Sequence, residues 1–187
     1  QRMSARRDDV DPEGLLEFSV VFSDRSLNSM SAVFGDVMRD ISRILKQAYN
    51  ADSMAVVPGG GTYGMEAIAR QFASNKSALI IRNGWFSYRW SQILDAGDIA
   101  KTQTIIKASQ LSDDPTSPFA PASLEKIVAQ ITKQQPDIVF CPHVETSAGI
   151  IVPDSFIKQV SDAVHNVGGL FVLDCVATVS YTHLTLP

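Results

Sequence analysis

Three consecutive glycines, Gly59-Gly60-Gly61, stand between an apolar run, Ser53 to Val57, and a segment with helical spacing, Met65, Ile68, Ala69 and Phe72. An order of strand, glycine turn and helix is restrictive. Glycines let the backbone approach a ligand closely, and a helix starting just after them aims free N–H groups and the positive end of its dipole at whatever fills the turn. An anion, most naturally a phosphate, is one reading. A tight strand-to-helix turn with no ligand is the other. Gly59, Gly61 and Gly64 also satisfy G-x-G-x-x-G, the dinucleotide fingerprint. The acid that fingerprint expects at the end of the next strand is absent, and Arg82 stands in that region. A dinucleotide reading therefore calls for NADP, with Arg82 on the extra phosphate.

The rest of the chain alternates between two periods. Met30, Val33, Phe34, Val37, Met38, Ile41, Ile44, Leu45 and Ala48 recur at three and four, which predicts a helix with one buried face. Short apolar runs follow at Ser77–Arg82, Thr102–Ile106, Asp137–Cys141 and Leu170–Leu173, and each reads as a strand. Between them lie helical patterns at Phe86–Leu94, Pro121–Gln134 and from Pro153 to about Gly168. The stretches 109–121 and 143–149 read as loops. Strands that are apolar throughout, rather than alternating, belong to a sheet covered on both faces. The fold class is thus α/β, with three layers around a mostly parallel sheet. No linker divides the chain in two, and residues 1–14, rich in charge, read as a loop or arm.

Composition removes several function classes. A net charge of -4 leaves no basic footprint for nucleic acid. No apolar run reaches the roughly 20 residues of a membrane span. Two cysteines, Cys141 and Cys175, lack metal or redox spacing, which fits a reducing, cytoplasmic setting and predicts no metal site.

In an open α/β sheet, ligands bind beyond the carboxyl ends of the strands. Four polar groups of residues sit there: the glycine turn with Thr62, Asn83-Gly84-Trp85-Phe86, His143 to Gly149, and Asp174. Asp174 ends an apolar strand and precedes the small residues Cys175-Val176-Ala177. An ionised carboxylate there needs a cationic partner, and a protonated pyridine nitrogen would serve. An aspartate capping the next turn is the plainer alternative. Thr146 offers a hydroxyl and Glu145 a carboxylate, or both only satisfy loop backbone. Phe86 is either a stacking surface for a planar ring or a core aromatic.

Taken together, the stretches 58–67 (Pro-Gly-Gly-Gly-Thr-Tyr-Gly-Met-Glu-Ala), 83–90 (Asn-Gly-Trp-Phe-Ser-Tyr-Arg-Trp), 143–149 (His-Val-Glu-Thr-Ser-Ala-Gly) and 173–177 (Leu-Asp-Cys-Val-Ala) resemble the class V aminotransferases. These are pyridoxal-phosphate enzymes of fold type I, among them alanine–glyoxylate and serine–pyruvate aminotransferases. The resemblance runs from about Asp24 to Ala177. It implies that Gly60, Gly61 and Thr62 bind the phosphate of pyridoxal 5'-phosphate. Phe86 would stack on one face of the pyridine ring, Val176 would pack on the other, and Thr146 would hydrogen-bond the ring hydroxyl oxygen. Asp174 would pair with the ring nitrogen, which keeps the ring an electron sink. The implied activity moves an amino group from a small amino acid, of alanine or serine type, to a small 2-oxo acid such as glyoxylate or pyruvate. Such enzymes are usually homodimers.

The sequence departs from that pattern at its end. The family's Schiff-base lysine lies beyond the ring-nitrogen aspartate, but the last lysine here is Lys158. The expectation is a partial large domain over residues 1–177, truncated before that lysine and inactive by itself. Residues 178–187 read as translated adaptor or vector sequence. An NADP-dependent Rossmann-type oxidoreductase, a non-catalytic binding module with this fold, a 2-aminoethylphosphonate transaminase and a cysteine desulfurase relative are the rival readings.

Overall fold

A computed structural model describes residues 29–30 and 32–178. The arm expected at 1–14 and the tail beyond Thr178 lie outside the described residues. The chain divides into two compact units, Gln1–Val56 and Val57–Pro187.

In the first unit, helix α1 (Ala32–Tyr49) forms where the spacing of three and four predicts it. Asn50, at φ 48°, ends it in the left-handed conformation that asparagine tolerates. Arg39 pairs with Asp36, and Arg43 with Asp40, one turn apart on its polar side. None of its residues is buried, so the expected buried face is not matched by packing. The strand expected at Ser53–Val57 is also absent. An extended apolar run becomes a strand only when a neighbour takes its N–H and C=O groups, and none among the described residues does so.

The second unit is a layered α/β structure. Its elements run α2 (Gly61–Phe72), β1 (Ser77–Arg82), α3 (Trp85–Ala96), β2 (Thr102–Lys107), β3 (Ser109–Gln110), β4 (Phe119–Ala120), α4 (Leu124–Gln134), β5 (Ile138–Pro142), β6 (Val144–Glu145), β7 (Ile150–Ile151), α5 (Asp154–Asn166) and β8 (Leu170–Asp174). Four strands form a parallel sheet in the order β2-β1-β5-β8. The stretch 109–121, read as a loop, contains a two-residue antiparallel pair, β3 with β4, and β6 within 143–149 pairs with β7 just after it.

The apolar runs are explained by burial on both sides. Ala78, Ile80, Ile138 and Phe140 face a core built with Ala69 and Ala73 of α2 and its C-cap, and with Trp90, Ile93 and Leu94 of α3. Their neighbours Leu79, Ile81, Val139 and Cys141 face Ile127 and Ile131 of α4 and Val160 and Val164 of α5. The period of two thus feeds two cores, and removing water from both faces is what holds three layers together. Trp90 stacks on Phe140, with ring centroids 4.3 Å apart. After β1 the chain winds outward to β2, then crosses back to β5 and β8. The reversal opens a crevice at the carboxyl ends of β1 and β5, where ligands bind in such sheets.

Candidate functional site

Helix α2 begins directly after the glycine turn. Gly60 is its N-cap, and no side chain of the described residues caps it. No acid lies in its first turn. Its first N–H groups, at exposed positions Gly61 and Thr62, have no intrahelical acceptor. Gly59 is required by the turn itself, with φ 132° and a hypothetical Cβ 1.8 Å from the ring of Tyr63. Space above Gly60 is open, since a Cβ there meets nothing within 4 Å. A Cβ on Gly61 would lie 3.7 Å from Cγ2 of Val176, so the turn faces the segment after β8.

Asp174 ends β8. Its Oδ2 accepts a hydrogen bond from Nε1 of Trp90 at 3.2 Å, and its Oδ1 accepts one from the N–H of Val176 at 3.2 Å. Each carboxylate oxygen keeps acceptor capacity. The carbonyl of Asp174 accepts from the N–H of His143, and Nδ1 of His143 lies 2.8 Å from Oγ1 of Thr178. These contacts fix the turn that carries Val176, whose side chain is exposed.

Helix α3 is capped in a way that sequence reasoning left open. Glu145, buried in the crevice, accepts four hydrogen bonds. The N–H of Phe86 reaches Oε1 at 3.0 Å, the N–H of Ser87 reaches Oε2 at 2.9 Å, and the Ser87 hydroxyl reaches Oε2 at 2.6 Å. The Ser147 hydroxyl donates to Oε1 and in turn accepts from the N–H of Trp85 at 2.8 Å. Burial pushes the Glu145 carboxyl up, but the hydrogen bonds from Ser147, Ser87 and Phe86 outweigh it and hold the group below its ordinary value. A carboxylate at a helix N-terminus also meets the positive dipole end. Gly84 makes room for it: a Cβ there would lie 2.7 Å from Cγ of Glu145 and 2.4 Å from Oγ of Ser147.

The structure therefore brings the expected residues together in two groups. In the first, Gly61, between Gly60 and Thr62 at the start of α2, faces Val176, whose N–H is bonded to Asp174. Phe86 is tied through its N–H to Glu145, the residue before Thr146. Trp90 of α3 links the groups through its bond to Asp174. The side chains of Phe86 and Thr146 are both exposed, and no hydrogen bond or ring contact joins them. A cleft of about 460 Å³ between α2 and α3 is lined by Thr62, Arg70 and Arg89, and of the expected residues only Thr62 touches it. Cys141 is buried and free, and burial followed by the neighbouring Cys175 pushes its thiol up to about 12. Among the described residues no group of histidine, cysteine and acidic side chains could hold a metal ion. No helix among them is long and apolar enough to cross a membrane.

This donor set fits a phosphorylated pyridine. A phosphate would meet an uncapped helix start opened by glycine, and a ring N–H would meet a carboxylate with unfilled lone pairs. Between them stands an exposed apolar side chain, Val176.

Comparison with known proteins agrees on the fold. No protein-family model matches the chain, and no curated protein matches it in sequence. Among solved structures, it is similar to ureidoglycine-glyoxylate aminotransferase from Bacillus subtilis, at 23% identity and a TM-score of 0.67, over 82% of this chain and 37% of that one. It is similar to pyridoxamine-pyruvate aminotransferase from Mesorhizobium loti, at 17% identity and a TM-score of 0.67, over the same shares. Alanine–glyoxylate aminotransferase from Nostoc sp. shares 25% identity at a TM-score of 0.65, over 80% of this chain and 37% of that one. The chain spans little more than a third of the length of the structures it matches. It has, in part, the fold-type-I fold of the pyridoxal-phosphate aminotransferases, and the structures it resembles are class V-like members of that group.

Proposed function

We propose that these residues form the cofactor-holding part of a pyridoxal-phosphate-dependent aminotransferase. The observation that carries this reading is the uncapped glycine start of α2 facing Val176 beside Asp174. Gly60, Gly61 and Thr62 hold the phosphate through N–H groups and the Thr62 hydroxyl. Asp174, oriented by Trp90 and by the N–H of Val176, accepts from the protonated ring nitrogen. Phe86 and Val176 hold the ring between them, and Thr146 meets its hydroxyl oxygen. Bound there, the cofactor supplies an electron sink for removal of a substrate α-proton.

The amino donor in this reading is a small amino acid of alanine or serine type, and the acceptor is glyoxylate or pyruvate. The whole protein is a cytoplasmic homodimer. The 187 residues alone hold the cofactor without turning it over, since among them no lysine is placed to hold the aldehyde.

Equilibrium dialysis of the chain against pyridoxal phosphate and, separately, against NADPH tests the reading. Saturable retention of pyridoxal phosphate, weakened by inorganic phosphate, is expected. Retention of NADPH with no retention of pyridoxal phosphate overturns it in favour of an oxidoreductase.

A further inference from the structure

A second cleft, of about 370 Å³, opens at the carboxyl ends of β1 and β2. It is lined by Arg82, Asn83, Trp85, Lys107, Phe119 and Ser147, among others, and no acidic residue among the described ones lines it. Arg82 and Lys107 are register partners on adjacent parallel strands, so two cations stand side by side on one face. Like charges so placed repel, and neither makes an ion pair among the described residues. The Arg82 guanidinium lies over the ring of Tyr88, 4.7 Å from its centroid, which holds the group in place without neutralising it. Glu145, a buried carboxylate, is committed to four hydrogen bonds at the start of α3. Beside the cleft, the buried amide of Asn83 has neither its Nδ2 nor its Oδ1 hydrogen-bonded. Trp85 and Phe119 add aromatic surface that is about half exposed.

A pair of unneutralised cations, aromatic walls and a volume at the small end of ligand pockets define a ligand class. We propose that this cleft binds a small organic acid, with its carboxylate between Arg82 and Lys107 and its apolar body against Trp85 and Phe119. The site is separate from the cofactor seat: none of Gly60, Gly61, Thr62, Phe86, Thr146, Asp174 or Val176 lines it.

Calorimetric titration of the 187-residue chain with benzoate tests this, with inorganic phosphate as the bare anion. Benzoate is expected to bind saturably and more tightly than phosphate. Lys107→Gln, at an exposed position where folding is not at stake, is expected to weaken benzoate about tenfold, as loss of a charge-assisted contact does. Arg82→Gln is expected to act likewise, and Asp174→Ala to leave benzoate binding unchanged. Binding that survives Lys107→Gln but is displaced by pyridoxal phosphate would place benzoate in the cofactor seat and overturn the proposal. No saturable binding, or phosphate binding as well as benzoate, overturns it too.

Discussion

The indole Nε1 of Trp90 donates to Oδ2 of Asp174 across 84 residues of sequence, while the same ring stacks on Phe140. One side chain thus belongs to the core and to the site. Trp90→Phe keeps a ring against Phe140 but removes the donor. We expect a loss of about 1–3 kcal/mol in stability, from the hydrogen bond and the vacated volume together. A urea midpoint reports it, and a midpoint equal to wild type would show that the bond contributes nothing.

Two glycines separate packing from ligand binding. Gly84→Ala forces a methyl group into Glu145 and Ser147, and overpacking of that kind costs about 1–3 kcal/mol. Gly60→Ala meets open space at φ -73°, so thermal stability should stay near wild type. Pyridoxal phosphate retention should nevertheless fall, because the methyl group occupies the approach to the phosphate seat. Thermal melts and dialysis on both variants check the contrast.

Acid should release the start of α3. The Glu145 carboxyl is held below its ordinary value in the folded chain, so its contribution is present above the unfolded value, about 4.3, and lost as pH falls through the folded one. Asp137, lowered by its bonds to the Ser77 hydroxyl and N–H, titrates in the same direction. The Glu145 share is therefore the difference between wild type and Glu145→Gln. At neutral pH the variant should lose about 1–3 kcal/mol, the loss shrinking below pH 4. A difference that does not change with pH would refute the assignment.

The thiols should differ in reactivity. The Cys141 thiol is buried and raised to about 12. Cys175 is half-buried, and burial raises its thiol also, with Asp174 adding to this and the Thr178 hydrogen bond opposing it. At pH 8 an alkylating reagent should label Cys175 slowly and Cys141 only on unfolding. Mass spectrometry of the labelled peptides decides it.

Much of this arrangement was legible in the sequence because it is periodic or local. The apolar runs at Ser77–Arg82, Asp137–Cys141 and Leu170–Leu173 announce strands buried on both faces. The glycine turn announces the start of α2. What failed depended on a distant partner. Ser53–Val57 has strand composition, yet pairing requires a neighbour that no local pattern reveals. The pairs β3–β4 and β6–β7 are two residues long, too short for a period to show. Glu145 could be read only as a loop carboxylate, because Phe86 and Ser87, which it caps, precede it by 59 and 58 residues. A glycine at position 84 followed by Ser87 was the available signal, since both are needed to admit a carboxylate. The roles of Phe86 and Thr146 rest on resemblance to a family, whereas Asp174 is also marked by its place at the end of an apolar strand.

The central claim is that Asp174 faces the ring nitrogen of a pyridine whose phosphate sits on Gly60, Gly61 and Thr62. Dissociation constants for pyridoxal phosphate, measured by dialysis on wild type and Asp174→Ala, test it most directly, with circular dichroism confirming that the variant stays folded. Loss of a charge-assisted hydrogen bond should weaken the variant about tenfold or more, while its affinity for inorganic phosphate alone is unchanged. Equal affinity of both proteins for pyridoxal phosphate would contradict the account.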